Sequence, residues 1–598
     1  MLNIVVVIGV FVTVLTGFPV LLQLRGHPRG LFVLFFAEMW ERFSYYGMRA
    51  LLIFYLTEQF LFTDDFSQGQ YAAYTTLVFL TPLLGGFLAD RYLGTRKAVA
   101  FGALLLVAGH FTMAIEGRPA VQTLAYGGQT YVFQAVGRMN GRSVCLKVDT
   151  GCYKVSAGAD GGLRIAGLPA TARLPGDLSK GAYRLAVQKR DQTFVDIFYL
   201  ALALIIMGVG YLKANISSIV GQLYSQGDPR RDPAFTLYYY GINLGAFWAG
   251  VLCGLLGQTV GWWAGFGLAG VGMLAGFVVF VWGRPLLEGH GEPPDPAALK
   301  KKIWGPLNLE GALYLGGLFG VAAVWWMVQR YALMGWMQII AWTAVAVYLG
   351  WYMIAKLDRI ARDRMILALV LIVASIVFWT LFEQAGSSLS QFAERNTQLP
   401  NNGFWTVTAG QTQSFNPFFI LVFAPVFAFV WTRLAKVALN PNPALKFGLG
   451  LVQVGVGFLI LVWGAQFHDA TFRVPLMFLV GAYLLHTTGE LCLSPVGLSE
   501  MTKLAPAALI STLLAIWFLA TSAAQYIAGL VAKLTASDTV AGQVLDPAKA
   551  LATYVTTFRD IGLAGVGLGL LLLAASPWLK RLSHGVDDAA NHAAPAES

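Results

Sequence analysis

Residues 32–56 read FVLFFAEMWERFSYYGMRALLIFYL. The run has the length of a membrane helix, yet it carries Glu38, Glu41, Arg42, Tyr45, Tyr46 and Arg49. On a helix that advances about 100° per residue these six fall within an arc of about 140°, while Phe35, Phe36, Trp40, Phe43 and Leu51 lie mostly outside it. A charge at the bilayer centre costs about 2.5–3.5 kcal/mol on insertion scales, so four on one span demand a wet or protein-lined cavity with compensating partners. The segment is expected to wall a transport pathway, not to serve as an anchor.

The composition agrees with a membrane setting. Hydrophobic residues make up 57% of the 598, charged residues 12%, and the mean hydropathy is +0.63, which excludes a soluble globular protein. Apolar runs of about 20 residues recur about fifteen times and are continuous, so the chain reads as an all-α polytopic membrane protein and not as a transmembrane barrel. The net charge of +10 does not point to nucleic acid. Its basic residues cluster in alternate short connections: Arg25 and Arg29; Arg91, Arg96 and Lys97; Arg230 and Arg231; Lys300 to Lys302; Lys356, Arg359 and Arg362; Arg433 and Lys436; Lys580 and Arg581. This is an orientation signal that places these loops and the carboxy terminus in the cytoplasm and the amino terminus outside. Residues 2–22 have no basic residue ahead of them and no clear small-x-small cleavage site, so they read as a retained first helix and not a cleaved signal.

One soluble segment interrupts the helices. From Glu116 to Asp191 the chain shows the short alternating stretches TYVFQAV, RSVCLKV, CYKVSAG, GLRIAG and YRLAVQK, separated by Gly, Asp and Pro, which predicts a small β-domain on the exterior side. Cys145 and Cys152 flank Asp149-Thr150-Gly151; a hairpin disulfide and two free thiols in adjacent strands both fit that spacing. The domain's task stays open between a lid over the vestibule, a docking site for a partner, and a tolerated loop decoration.

Other helices supply further polar groups. Lys213 and Asn215 lie within MGVGYLKANISSIVG, Asn243 within YYYGINLGAFWAG, Glu383 within VFWTLFEQAGSSLSQF, Asn416 within TQSFNPFFILVF, and Glu490 within LLHTTGELCLSPVGLSEM, where Pro495 is expected to weaken the helix. Glu490 is the expected carboxylate partner of Lys213. Four intramembrane carboxylates, Glu38, Glu41, Glu383 and Glu490, face three fixed cations, Arg42, Arg49 and Lys213. The surplus carboxylate is most cheaply balanced by a proton, which predicts proton coupling. No metal-ligand spacing occurs, no cofactor is called for, and nothing resembles an enzyme's catalytic site. His110 and His486 read as structural residues.

At these residues the sequence is identified as resembling the proton-dependent oligopeptide transporter family of the major facilitator superfamily. Glu38-Met-Trp-Glu41-Arg42-Phe-Ser-Tyr45-Tyr46-Gly47 is similar to the family's ExxERFxYYG signature. Gly85-Gly86-Phe-Leu-Ala-Asp90-Arg91 with Gly94-Thr-Arg96-Lys97, Gly210-Tyr-Leu-Lys213-Ala-Asn215, Gly241-Ile242-Asn243-Leu244-Gly245, Phe378-Trp379 with Glu383-Gln384, and Gly489-Glu490-Leu-Cys-Leu-Ser494-Pro495 extend the resemblance from about His27 to Arg581, the β-domain excepted.

The resemblance implies two six-helix bundles, two accessory helices between them, and proton-driven symport of di- and tripeptides by alternating access in a bacterial inner membrane. Carried over, Glu38, Glu41 and Arg42 couple protonation to the gate and Glu383 is a further proton site. Arg49 and Lys213 hold the peptide carboxylate. Asn243, Asn416 and Glu490 take its amino terminus, Tyr45 and Tyr46 its backbone, and Trp379, Trp517 and Ser494 complete the substrate site. Lys213 and Glu490 pair across the bundles when no peptide is bound. Phe79 stands where many relatives have tyrosine.

The expected organisation is an extra amino-terminal helix (1–26), helices 1–3 of the first bundle (27–115), the β-insert (116–192) and helices 4–6 (193–283). A cytoplasmic linker (284–306), the accessory pair (307–356), helices 7–12 (357–582) and a cytoplasmic tail (583–598) follow. Transport of nitrate or another organic ion, and a transceptor or scaffold whose β-insert binds a partner protein, are the competing functions. The partners expected are peptide, protons and membrane lipid.

Overall fold

Short connections between apolar runs produce fifteen long helices in the computed structural model, which describes residues 3–137, 142–158, 161–169, 171–188, 190–225, 228–437 and 439–586. The last twelve residues of the expected tail lie outside the described residues. Helix α1 is Ile4–Leu24. The first bundle comprises α2 (Arg29–Phe54), α3 (Asp64–Leu88), α4 (Thr95–Met113), α5 (Gln192–Gln222), α6 (Arg231–Thr259) and α7 (Trp262–Trp282). A linker with the short α8 (Pro296–Lys300) leads to the accessory pair α9 (Leu309–Val328) and α10 (Tyr331–Ala355). The second bundle comprises α11 (Arg359–Phe382) continuing into α12 (Ser388–Asn396), then α13 (Phe415–Lys436), α14 (Pro443–Gly464), α15 (Leu476–Leu504), α16 (Ile510–Lys533) and α17 (Pro547–Leu582). Thirteen of the helices are long and apolar enough to cross a membrane by length and composition. The other two are α2, with four charges in its middle, and α4, which opens on Arg96 and Lys97. Two groups of six helices flank an accessory pair, as the resemblance implies.

Side-chain caps fix several starts: Asn308, Asp358, Asn442 and Asp546 each accept a hydrogen bond from a backbone N–H in the first turn that follows. Contrary to the expectation at Pro495, α15 stays helical through that position as far as Leu504. Helix packing is set by close approach. A Cβ at Gly85 on α3 would collide with the Gly210 carbonyl on α5, so both glycines permit backbone contact. The first bundle is tied to the linker by Glu292, which accepts from Arg96 at 2.8 and 2.9 Å and from Arg284 at 3.2 Å. Gly94, at φ +73°, makes the turn that seats this clamp.

Helix α1 lies outside the bundles against α6. Trp248 donates to Thr13 (2.9 Å), the Thr16 and Tyr240 hydroxyls are 2.8 Å apart, and Asn3 donates to the Thr406 carbonyl (2.7 Å). The accessory helices expose Phe319, Trp326, Trp336, Ile340 and Trp351, as expected of lipid-facing surface.

The insert is a seven-stranded antiparallel sheet: β1 (Val121–Tyr126), β2 (Gln129–Val136), β3 (Ser143–Val148), β4 (Gly151–Ala157), β5 (Leu163–Ile165), β6 (Asp177–Leu178) and β7 (Arg184–Gln188). Five of these match the predicted stretches; β1 and β6 are additional. The order is β6-β5-β4-β3-β2-β1-β7, so the first and last strands pair, with Val121 opposite Gln188. Cys145 and Cys152 form a disulfide across the β3–β4 hairpin, closing the question left by their spacing. They sit diagonally, since Cys145 faces Lys154 and Cys152 faces Lys147 in the register. One face buries Leu124, Phe133, Leu146, Leu163 and Ile165.

Candidate substrate and proton site

The polar arc of α2 points inward. Glu38, Glu41, Arg42 and Arg49 are all buried, with Glu41 fully excluded from solvent. Arg42 Nε lies 2.9 Å from Glu38 Oε1 and 2.6 Å from Glu41 Oε2, so two carboxylates share one guanidinium. Apart from this guanidinium, no group among the described residues donates a hydrogen bond to Glu41. Tyr45, buried, packs edge-on against the half-buried Tyr46, and the Arg42 guanidinium lies 5.7 Å from the Tyr45 ring.

Lys213 on α5 projects toward this group, within electrostatic reach of Glu41, Glu38 and Arg42. Its Nζ rests 3.7 Å from the ring centroid of Phe79 on α3. Its expected ion pair with Glu490 is not formed. Glu490 Oε2 instead accepts from Asn416 (2.9 Å), whose amide also reaches Thr487 Oγ1 (3.1 Å).

Arg49, expected to hold the substrate carboxylate together with Lys213, is engaged with protein groups. Its Nη2 is 2.5 Å from Glu383 Oε2 in the turn between α11 and α12, and its Nε donates to Tyr71 Oη at 2.8 Å. This places Glu383 as the partner of a cross-bundle ion pair and brings α2, α3 and the second bundle together. A Cβ at Gly386 would collide with the Tyr71 hydroxyl, so that turn is built for close approach.

Of the remaining candidates, Asn243 is buried and spends its amide on the Tyr239 carbonyl (2.9 Å) one turn back. Trp379 is half-buried between Phe378 and Phe382. Trp517 is half-buried against Gly497 of α15, and Ser494 is half-buried one turn beyond Glu490. Together these residues surround a central region to which both bundles contribute. Among the described residues, no group of three or more His, Cys, Asp or Glu side chains is placed to hold a metal.

Sequence reasoning missed a second cross-bundle layer nearer the β-insert. Asp64, on the first turn of α3, accepts from Arg395 Nη1 (2.5 Å) and Nη2 (2.8 Å) on α12, from Gln391 (3.4 Å) and from the Ser537 N–H (3.0 Å). Gln68 donates to Gln391 at 2.6 Å. The signal was present as polar runs, DDFSQGQ at 64–70 and SSLSQFAER at 387–395, which read as loop and helix end although they continue the helices. These contacts seal the molecule at the insert end. Beneath them Tyr46, Phe79, Lys213, Trp379 and Trp517 keep partial solvent exposure.

Comparison with known proteins agrees with this arrangement. The chain is 33% identical to the "Uncharacterized transporter YclF" of Bacillus subtilis over 94% of its own length and 96% of that protein's. It is 30% identical to a "Dipeptide and tripeptide permease A" of Edwardsiella piscicida (93% and 96% covered) and 29% identical to the permease of the same name from Escherichia coli (95% and 96%). The crystal structure of a peptide transporter POT in complex with sulfate superposes with a TM-score of 0.69 at 32% identity, covering 93% of this chain and 96% of that one. A mutant of a peptide transporter POT in complex with alafosfalin gives 0.68 at the same identity and coverage. The sequence model of the POT family matches residues 96–549, and with the two-bundle fold and its charged core this chain belongs to the POT family.

Proposed function

We propose that this protein imports di- and tripeptides together with protons by alternating access, with the β-insert on the extracytoplasmic side of a bacterial inner membrane. The observation that carries the reading is the Glu38–Arg42–Glu41 group, in which two buried carboxylates share one guanidinium. Arg42 balances only one of these two carboxylates and the other depends on Lys213, so when a peptide carboxylate claims Lys213 a proton restores the balance. A proton entering down the membrane potential contributes about 2.3 kcal/mol per 100 mV.

The site suits a zwitterion. Lys213 and Arg49 offer positive charge, while Glu490, Asn416 and Asn243 face them from other helices. A peptide carboxylate competes with Glu383 for Arg49, and protonation of Glu383 releases the arginine to it. Breaking that pair unties α2 from the second bundle, which links substrate and proton binding to opening of the insert end. Charge recognition at both peptide ends tolerates varied side chains and limits length. The orientation is supported by the Arg and Lys clusters on the connections away from the insert, and by the start of α1 beside the 404–406 loop.

The test is uptake of labelled dialanine into proteoliposomes with an alkaline interior. Accumulation should vanish with a protonophore. Glu41→Gln should lose accumulation while keeping counterflow exchange, and Lys213→Ala should lose both. Concentrative uptake by Glu41→Gln would rule out this assignment of coupling.

A further inference from the structure

The β-insert is fastened to both bundles. On the first bundle it grips the end of α2: the Ala120 N–H donates to the Gln59 carbonyl (2.8 Å), Gln59 Nε2 to the Gly117 carbonyl (2.7 Å), and Arg190 to the carbonyls of Phe60 (2.8 Å) and Leu61 (3.1 Å). On the second bundle it grips the hairpin joining α16 to α17, in which Thr539–Val540 pairs with Gln543–Val544. There the Ala541 N–H donates to Gln122 Oε1 (2.5 Å), the Val144 N–H to Gln543 Oε1 (2.9 Å), and the Ala157 N–H to the Leu545 carbonyl (3.3 Å). Val540 and Ala541, buried, join Leu124, Phe133 and Leu146 in the insert's own core.

Arg142 joins the two attachments. Its Nη2 donates to the Ala541 carbonyl (2.7 Å), and its Nε lies 3.7 Å from Glu58 Oε2 at the end of α2. The Glu58 carboxyl lies within hydrogen-bonding reach of that of Glu394 on α12, so acidic groups from the two bundles meet with Arg142 alongside. Arg395, the neighbouring cation, is committed to Asp64. A cavity of about 720 Å³, lined by Glu58, Gln59, Gln122, Arg142 and Ala541 among others, lies beneath this junction.

We propose that the β-insert is an outer jaw of the extracytoplasmic gate, and that Arg142 is the positioning residue that clasps it shut by joining the end of α2 to the α16–α17 hairpin. This rests on the alternating-access reading, in which the bundles must part at this end. Parting them breaks the insert's grip on the hairpin, and the insert thereby favours the conformation closed at its own end. Arg142 also balances the negative charge that Glu58 and Glu394 bring to this junction.

Two experiments on the full-length protein test this. The first needs no substrate, so it is independent of whether peptide is carried. Ser67, fully buried in the sealed layer, is replaced by cysteine and its reaction with a maleimide is followed in purified protein, where Cys253 and Cys492 are buried and Cys145 and Cys152 are bonded to each other. Arg142→Ala should speed labelling about tenfold, as expected for loss of a hydrogen bond from a charged donor, and adding Glu58→Gln should bring it back toward the parent rate. Equal rates with and without Arg142, or no recovery with Glu58→Gln, would overturn the role of Arg142.

The second experiment compares one protein with itself, so a folding defect cannot mimic the result. Gln122→Cys with Ala541→Cys is oxidised to link insert and hairpin. Dialanine uptake should cease on oxidation and return on reduction, with each single cysteine variant unaffected by the same treatment. Undiminished uptake by the linked carrier would show that insert and hairpin travel together and would refute the clasp.

Discussion

Asp64→Asn should release the insert end of the carrier. The Asp64–Arg395 pair is almost wholly buried, with side-chain exposures of 1% and 6%, and its two members belong to different bundles. Removing one partner of a buried ion pair costs about 3–5 kcal/mol, largely because the other charge is stranded. Here the stranding is partial, since the amide oxygen left at position 64 can still accept one of the two bonds from Arg395. A loss of about 2–3 kcal/mol is therefore expected, as for hydrogen bonds to charged groups. The loss falls on the closed conformation alone, because parting the bundles returns both residues to water. At about 1.4 kcal/mol per tenfold, this shifts the closed-to-open ratio about 30- to 150-fold.

Spin labels at Phe66 on α3 and at Lys549 on α17, both exposed, report this as a distance distribution. The parent should show one short distance, and Asp64→Asn a substantial second population at longer range. Arg395→Gln should do the same, and the double variant should be much less than additive, which identifies the pair as the source. Parent-like distributions in both single variants would refute the argument that this layer holds the gate.

Other predictions follow from single contacts. Phe79→Leu removes the ring under Lys213 and should raise the dialanine KM about three- to tenfold, the equivalent of one partly desolvated cation–π contact, while leaving proton-driven accumulation intact; an unchanged KM in uptake assays would count against it. Gly85→Val drives a side chain into the Gly210 backbone and should lower the Tm of the purified protein, with a cost of about 1–3 kcal/mol or more, whereas Gly86→Ala, where the nearest atom is 3.7 Å away, should not. Glu292 is held below the ordinary carboxylate value, chiefly by hydrogen bonds from Arg96. Its folded value thus lies below its unfolded one, so its contribution is complete above about pH 4.5 and is lost as pH falls through the lower folded value. Hydrogen exchange of the linker, corrected for intrinsic rate, should rise in that acid window, and Glu292→Gln should already exchange fast at neutral pH.

The membrane fold was legible because continuous apolarity and charge-free lengths are local properties. Every expected span has a helix, and α2 could be read as two-faced from its charges alone. Helix ends were harder. α3 begins at Asp64 although its apolar run begins near Tyr71, and α12 continues to Asn396 although the apolar run before it ends at Phe382. Those polar extensions face the other bundle and not lipid, so hydropathy marks them as loop. Partnerships were least legible. Arg49 and Glu383 are 334 residues apart and Asp64 and Arg395 are 331 apart, and no local pattern says which cation a carboxylate meets. Lys213 and Glu490 illustrate the same limit: charge balance suggested a pair, but Phe79 and Asn416 were already within reach. In the insert, the alternation of β2 to β5 and β7 was readable, whereas β6 has two residues and carries too little pattern to find.

The pairing of β1 with β7 brings the entrance and exit of the insert together, as neighbouring strands lie about 4.7–4.9 Å apart. To the helices on either side, a whole folded module thus looks like one short turn. The module can be carried without altering the paths of α4 and α5, and the 539–545 hairpin that shares its core is the part fitted to it. For the experimenter the module is a rigid landmark protruding from a 64.8 kDa carrier, a fixed shape by which single-particle images of a body otherwise hidden in detergent can be aligned.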